Sequence, residues 1–211
     1  MALAPDIVGI VLAAGDSSRM GRPKQLLMFR GKTLLECVVD SALGSALART
    51  VVVLGHQAAE LEALLAGREV DVVVNPRYRQ GQGTSVRAGL QRVGAESAAV
   101  IFLLGDQPLV SAATIDWLIT AYRQGSAPII QPVFEGRRGN PVLFGRETFP
   151  ALAALGDDEN ARSIFERFAG RIVRVPVDDP YIHFDIDTAE DYRKLLQLEA
   201  AAGGRPGARV V

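Results

Sequence analysis

A chain of 211 residues, 48% hydrophobic and 22% charged, has the composition of an ordinary globular protein and the length to close one core without staples. With 23 basic against 24 acidic residues and a formal net charge of −1, it has no excess of positive charge to suit a nucleic-acid partner, whose phosphates need neutralising. Its single cysteine, Cys37, has no internal partner and reads as apolar filler. No apolar run approaches the ~20 residues that cross a bilayer, and Met1–Asp6 lacks the basic start of a signal peptide, so no membrane partner and a cytoplasmic location are expected.

Ile7–Ala13 is a near-continuous apolar run ending at Gly15, the pattern of a parallel strand buried on both faces. Thr33–Leu43 has helical spacing, and Thr33 with Glu36 three residues on forms a capping box. A β-branched strand Thr50–Leu54, a helix Ala58–Leu65 and a strand Val70–Asn75 stopped by Pro76 follow. Next come a helix Thr84–Val93, a buried strand Ala98–Leu104 and a helix Thr114–Gln124. This alternation predicts a parallel sheet covered by helices on both faces. Ile129–Phe134 and Pro141–Phe144 then read as two strands joined by a Gly-rich turn. Arg162–Phe168 is expected to be helical, Arg171–Val175 a strand and Thr188–Leu198 the last long helix, with Thr188 as its N-cap. The reading is one α/β domain over residues 1–199 with a mixed sheet, and a frayed tail, Ala200–Val211.

The chemistry concentrates at strand ends. Leu12-Ala13-Ala14-Gly15 follows the first strand, where parallel sheets bind ligands. Its small residues let backbone N–H groups approach a phosphate; Ser17 and Ser18 add hydroxyls, and Arg19 and Lys24 add positive charge. The Walker and dinucleotide patterns both fail on spacing here, so this is a phosphate loop of another kind. Gly105-Asp106-Gln107-Pro108 closes the fourth strand, and Asp106 is placed to hold a hard cation such as magnesium, which takes one or two carboxylates plus substrate phosphates.

In Phe184-Asp185-Ile186-Asp187-Thr188, alternation along a short strand would put Asp185 and Asp187 on one face and offer a second carboxylate. Gly81, Gly83 and Ser85 open a helix whose N–H groups suit a nucleotide, although a plain helix-start turn has the same pattern. Arg137, Arg138 and Asn140 in the Gly-rich turn would meet an anionic acceptor, or be no more than an exposed hairpin tip. His56 and His183 have no ligand-spaced partners, which argues against a transition metal.

Taken together and in this order, Leu12-Ala13-Ala14-Gly15, Arg19-Met20-Gly21, Pro23-Lys24, Gly81-x-Gly83, Gly105-Asp106-x-Pro108, Gly139-Asn140-Pro141-Val142 and Asp185-Ile186-Asp187-Thr188 are similar to the molybdenum-cofactor nucleotidyltransferases. The resemblance covers the chain except its last dozen residues. It implies a Rossmann-like three-layer nucleotidyltransferase fold with a mostly parallel mixed sheet. It implies nucleotide contacts from Leu12, Ala13, Ala14, Gly15, Ser17, Arg19, Lys24, Gly81, Gly83, Ser85 and Gly105. Arg19, Lys24 and Asp106 would be the catalytic group, Asp106 and Asp187 the magnesium ligands, and Asn140, Arg137, Gln107 and Asp185 the acceptor contacts. The family's acceptor is molybdopterin or its molybdate-bearing form, and its products are a pterin dinucleotide and pyrophosphate.

The guanylyl branch usually has Leu-Ala-Gly-Gly in the first loop, whereas Leu12-Ala13-Ala14-Gly15 is more typical of the cytidylyl branch. The Ala14 methyl would narrow the space beside the base, which favours CTP over GTP. Asn140 stands where the cytidylyl enzymes commonly have histidine. Two other readings stay open: a nucleotidyltransferase using GTP or an alcohol- or sugar-phosphate acceptor, and a binding protein that inserts molybdenum cofactor into a partner molybdoenzyme.

Overall fold

A computed structural model describes residues 6–17, 20–21, 23–125 and 127–203, with side chains to 200. Its framework is an eight-stranded sheet built around β1 (Ile7–Ala13). β1 pairs in parallel with β4 (Arg49–Leu54) on one side and β6 (Ala99–Leu104) on the other, and β5 (Asp71–Val74) extends the parallel set beyond β4. Of these, β1, β4 and β6 are buried on both faces, which is why they lack a polar alternation, whereas β5 at the sheet edge is only partly buried. Beyond β6 the direction reverses. β9 (Val142–Gly145) runs antiparallel to both β6 and β7 (Ile129–Phe134), and β10 (Ile172–Pro176) closes the edge parallel to β7. The short β8 (Arg137–Arg138) folds back on β7 through a turn at Glu135 and Gly136, both at positive φ. The Gly-rich segment is thus a strand of its own, not just a connection. The expected mostly parallel mixed sheet is what the chain forms.

Helices cover both faces. On one, α1 (Leu34–Leu43), α2 (Ala58–Leu64) and α4 (Ala112–Gly125) bury Leu35, Val39, Leu61, Ile115 and Leu118 against Val11, Val52 and Ile101. On the other, α3 (Gln82–Leu90), α5 (Phe149–Ala153) and a 3-10 helix, Ala161–Phe168, bury Val86, Leu152 and Ile164 against Ile10, Val53 and Phe102. The capping box forms as read: Thr33 Oγ1 accepts from the Glu36 amide at 3.2 Å, and Glu36 accepts from the Thr33 amide at 2.8 Å. A small third core joins Leu27 and Phe29 to Ile186 and to Leu195 of α6 (Ala189–Gly203). Phe29 lies in β2 (Met28–Phe29), which pairs with β3 (Lys32–Thr33) across a turn at Arg30 and Gly31, both at positive φ as a tight hairpin requires.

The helix expected over Arg162–Phe168 forms, as the 3-10 helix Ala161–Phe168. Two expectations change. Phe184–Thr188 is not a strand, because its backbone is held elsewhere: the Ile186 amide donates to the Asp106 carbonyl at 3.0 Å. α6 continues to Gly203, so the first residues of the expected tail are helical, and 204–211 lie outside the described residues. Thr188 caps α6 as expected, its hydroxyl accepting from the Asp191 amide at 3.2 Å. Among the described residues, no helix is long and apolar enough to cross a membrane.

Candidate active site

The loop after β1 is held in shape from inside. Gln25, buried in the 3-10 turn Lys24–Leu26, donates to the carbonyls of Ala13 at 3.4 Å and Gly15 at 3.1 Å. The Ser17 hydroxyl donates to Gln25 Oε1 at 3.3 Å and accepts from the Lys24 amide at 3.1 Å, so it is spent on the loop itself. Ser17 sits at φ 54, an uncommon conformation for a residue with a side chain. Arg19 and Ser18 lie outside the described residues. Gln25 is the residue the sequence reading missed here, because an isolated Gln beside a Lys gives no hint that it bridges two carbonyls.

This clamp aims Lys24 across the carboxyl end of the sheet. Its Nζ donates to Asp106 Oδ2 at 2.6 Å and Asp187 Oδ1 at 2.9 Å, joining three segments far apart in sequence. Burial pulls the Lys24 pKa down, but Asp106 and Asp187 more than offset it, so the ammonium stays charged across the neutral range. Asp106 Oδ1 is buried and has no hydrogen-bond partner among the described residues. Asp185 accepts from Gln107 Nε2 at 2.7 Å, and burial, with the charge of Asp106 beside it, raises its pKa to about 6. Three carboxylates converge here against one ammonium, with a buried oxygen unsatisfied. That donor set fits a hard divalent cation between Asp106 and Asp187, where an ammonium now lies. Among the described residues no three His, Cys, Asp or Glu side chains form a cage for a metal, so a cation here would need ligands from a bound substrate as well.

Two cavities open beside this cluster. One, of about 240 Å³, is lined by Ala14, Gly15, Lys24, Tyr78, Ser85 and Asp106, and by Gly81 and Gly105. The other, of about 210 Å³, is lined by Phe102, Val142 and Phe144 together with Asn140, Asn160 and Arg162. Leu12, Gln82 and Leu104 line both and form the wall between them.

The glycines divide by purpose. A Cβ on Gly15 would meet nothing within 4 Å, so its surface is open to a ligand. A Cβ on Gly83 would fall 1.9 Å from the Gly156 carbonyl, and one on Gly81, at φ 127, would fall 2.4 Å from that of Asp157. Both let the 156–159 segment pack on the start of α3. Gly83 lines neither cavity. Gly105 is similarly crowded by Ala13 Cβ at 2.9 Å. Ala13 is buried in the core. Ser85 lines the first cavity while its hydroxyl accepts from the buried Asn75 at 3.0 Å.

The acceptor candidates also separate. Gln107 is buried and locked to Asp185. Asn140 reaches the second cavity, but Arg137 stands exposed in β8 and lines neither. The cation at that cavity is Arg162, which sequence reasoning missed. Its Nη2 donates to the Gly139 carbonyl at 3.2 Å and Asn140 Oδ1 at 2.8 Å, contacts made across 23 and 22 residues of chain.

A small-residue loop after the first strand, with a cation and carboxylates at the carboxyl edge of a parallel sheet, marks a nucleotide-handling α/β enzyme. The chain belongs to the MobA-like NTP transferase domain family, whose model matches residues 9–174. It is 30% identical over 201 residues to the nicotine blue oxidoreductase of Paenarthrobacter nicotinovorans, covering 91% of this chain and 97% of that one. It is 29% identical to the molybdenum cofactor cytidylyltransferase of Escherichia coli, covering 87% and 92%. Among solved structures, the Rv0371c protein of Mycobacterium tuberculosis superimposes with a TM-score of 0.80 at 34% identity, over 92% of this chain and 99% of that one. A manganese complex of that protein matches with a TM-score of 0.77 at 32% identity, over 91% and 98%. The protein is a nucleotidyltransferase of this family.

Proposed function

We propose that the enzyme transfers CMP from CTP to the phosphate of a molybdopterin-type acceptor, forming a pterin dinucleotide and pyrophosphate, with Mg2+ held by Asp106 and Asp187. The observation that carries this reading is the Lys24 ammonium lying between those two carboxylates, in a cavity that Ala14 and Gly15 also line. The cytidylyltransferase of Escherichia coli supports the acceptor, and the manganese-bound relative supports a divalent cation.

On this reading CTP occupies the cavity of Ala14, Gly15, Tyr78 and Ser85. Asp106 and Asp187 would hold the metal, which would supply positive charge to offset the negative charge of the triphosphate. Lys24, released from the carboxylates, pairs with charge gathering on the leaving pyrophosphate. The Ala14 methyl narrows the cavity wall, which suits a pyrimidine. The acceptor phosphate is already ionised at neutral pH, so the chain has only to position it in line with the α-phosphorus and keep water from competing.

The deciding experiment measures pyrophosphate release with Mg2+ and molybdopterin, comparing CTP, GTP, ATP and UTP. Release with CTP alone is expected. Release with GTP alone would keep the chemistry and overturn the role given to Ala14. No release with any of the four would overturn the acceptor assignment and send the search to other phosphorylated acceptors.

A further inference from the structure

The second cavity carries a chemical signature of its own. Its lining contains no carboxylate, although the neighbouring cavity includes Asp106. What it has instead are donors. Asn160 Oδ1 is engaged by the Arg162 amide at 2.9 Å and Asn140 Oδ1 by the Arg162 guanidinium, so among the described residues each amide has its NH2 left to offer.

Arg162 has no ion-pair partner among the described residues. Both its side-chain hydrogen bonds come from Nη2, leaving Nη1 and Nε without partners there. Burial pushes its pKa down, and the charge of Asp185, beyond ion-pair distance, opposes that only in part. An exposed guanidinium that lines a cavity without acid, with Nη1 and Nε unpartnered among the described residues, is placed to pair with an anion.

From this we infer that Arg162 is the anchor for the anionic group of the second substrate, a phosphomonoester whose uncharged body lies over Phe102 and Val142 with its polar edge against Asn140 and Asn160. The inference rests on the nucleotidyl-transfer reading for the identity of that substrate. Arg162 belongs to this cavity and not to the nucleotide's, where Lys24 already supplies the cation. The shared wall of Leu12, Gln82 and Leu104 puts the two ligands side by side next to Asp106, as in-line transfer between them requires.

The test is calorimetric titration of inorganic phosphate into protein saturated with Mg2+ and a non-hydrolysable CTP analogue, for wild type, Arg162→Gln and Arg162→Lys. Wild type is expected to bind phosphate. Arg162→Gln should weaken that binding at least roughly tenfold with analogue affinity unchanged, and Arg162→Lys should fall between because it keeps the charge but loses the planar fork. If the Gln variant does not fold, Arg162→Lys alone decides, a several-fold loss being expected. Equal phosphate binding in all three proteins, or none in wild type, overturns the assignment. So does a loss of analogue affinity in the variants, which would move Arg162 to the nucleotide. Arg162-dependent phosphate binding in a protein that turns over no molybdopterin would instead keep the anchor and remove the proposed acceptor.

Discussion

Lys24 and Asp106 are 82 residues apart in the chain and 2.6 Å apart in the fold, and the lysine ammonium bridges Asp106 and Asp187. On the proposed reading, metal entry between these carboxylates has to displace that bound cation, and an incoming triphosphate gives it a new partner. Mg2+ and CTP are expected to bind together much more tightly than either alone. Lys24→Ala should strengthen binding of Mn2+ to the nucleotide-free protein, read by electron paramagnetic resonance. Turnover should fall by about 10²- to 10³-fold, the cost of losing one group that stabilises transition-state charge. Unchanged Mn2+ affinity in the variant would mean that the lysine does not guard the site.

Asp106→Asn preserves shape and removes the charge from the carboxylate nearest Lys24. Pyrophosphate release should drop by orders of magnitude while the far-UV spectrum stays unchanged. Chelation of metal from wild type should abolish turnover, and added Mg2+ or Mn2+ should restore it. A fully active Asp106→Asn protein would remove this residue from the chemistry.

The two kinds of glycine predict opposite phenotypes. Gly83→Ala sets a methyl against the Gly156 carbonyl and should destabilise the fold by about 1–3 kcal/mol in denaturant titration, as overpacking generally does. Gly15→Ala meets nothing within 4 Å, so stability should hold while triphosphate affinity falls. A Gly15→Ala protein that binds CTP normally would show that this surface faces no ligand.

The capping box of α1 is part of a charge network. Glu36 accepts from Thr33 and pairs with Arg68, and Arg68 also pairs with Asp40. Hydrogen bonds from Thr33 hold the Glu36 pKa below its usual value against the effect of burial. For Asp40, burial acts upward, but Lys32 and Arg68 outweigh it and the net shift is also downward. Depressed carboxylate pKa values stabilise the fold above the usual carboxylate range, and that contribution is lost as pH falls through the folded values. Thr33→Ala should cost about 1 kcal/mol at neutral pH. The difference between wild type and Glu36→Gln should shrink below pH ~4, and thermal melting across pH 3–7 checks both.

Much of the fold was legible because burial writes itself into sequence. The apolar runs at Ile7, Thr50 and Ala98 became β1, β4 and β6 with boundaries within a residue, and the Thr33–Glu36 spacing located a helix start. What failed to show was anything decided by partners far along the chain. Asp185–Asp187 looked like an alternating strand, yet a hydrogen bond to the Asp106 carbonyl fixes it as a loop, with Ile186 still turned into the core. Gly81 and Gly83 resembled a ligand-binding pattern, while their crowding comes from the 156–159 segment. Arg162 sat in an unremarkable helical stretch, and only the fold brings it to Asn140. Arg137, closer to Asn140 in sequence, was the more visible cation and ended up exposed on the hairpin.

The reversed strand β9 has a consequence for how such a protein can change. Running against β6, it brings its beginning, next to Asn140, to the edge where β6 ends near Asp106. β9 shares no ladder with β1, whose following loop shapes the cavity of Ala14 and Gly15. Substitutions in the turn before β9 can therefore reshape one cavity while the other keeps its frame. If the two cavities hold the two substrates as proposed, a new pairing of substrates is reachable by altering one side at a time, without passing through a chain that binds neither.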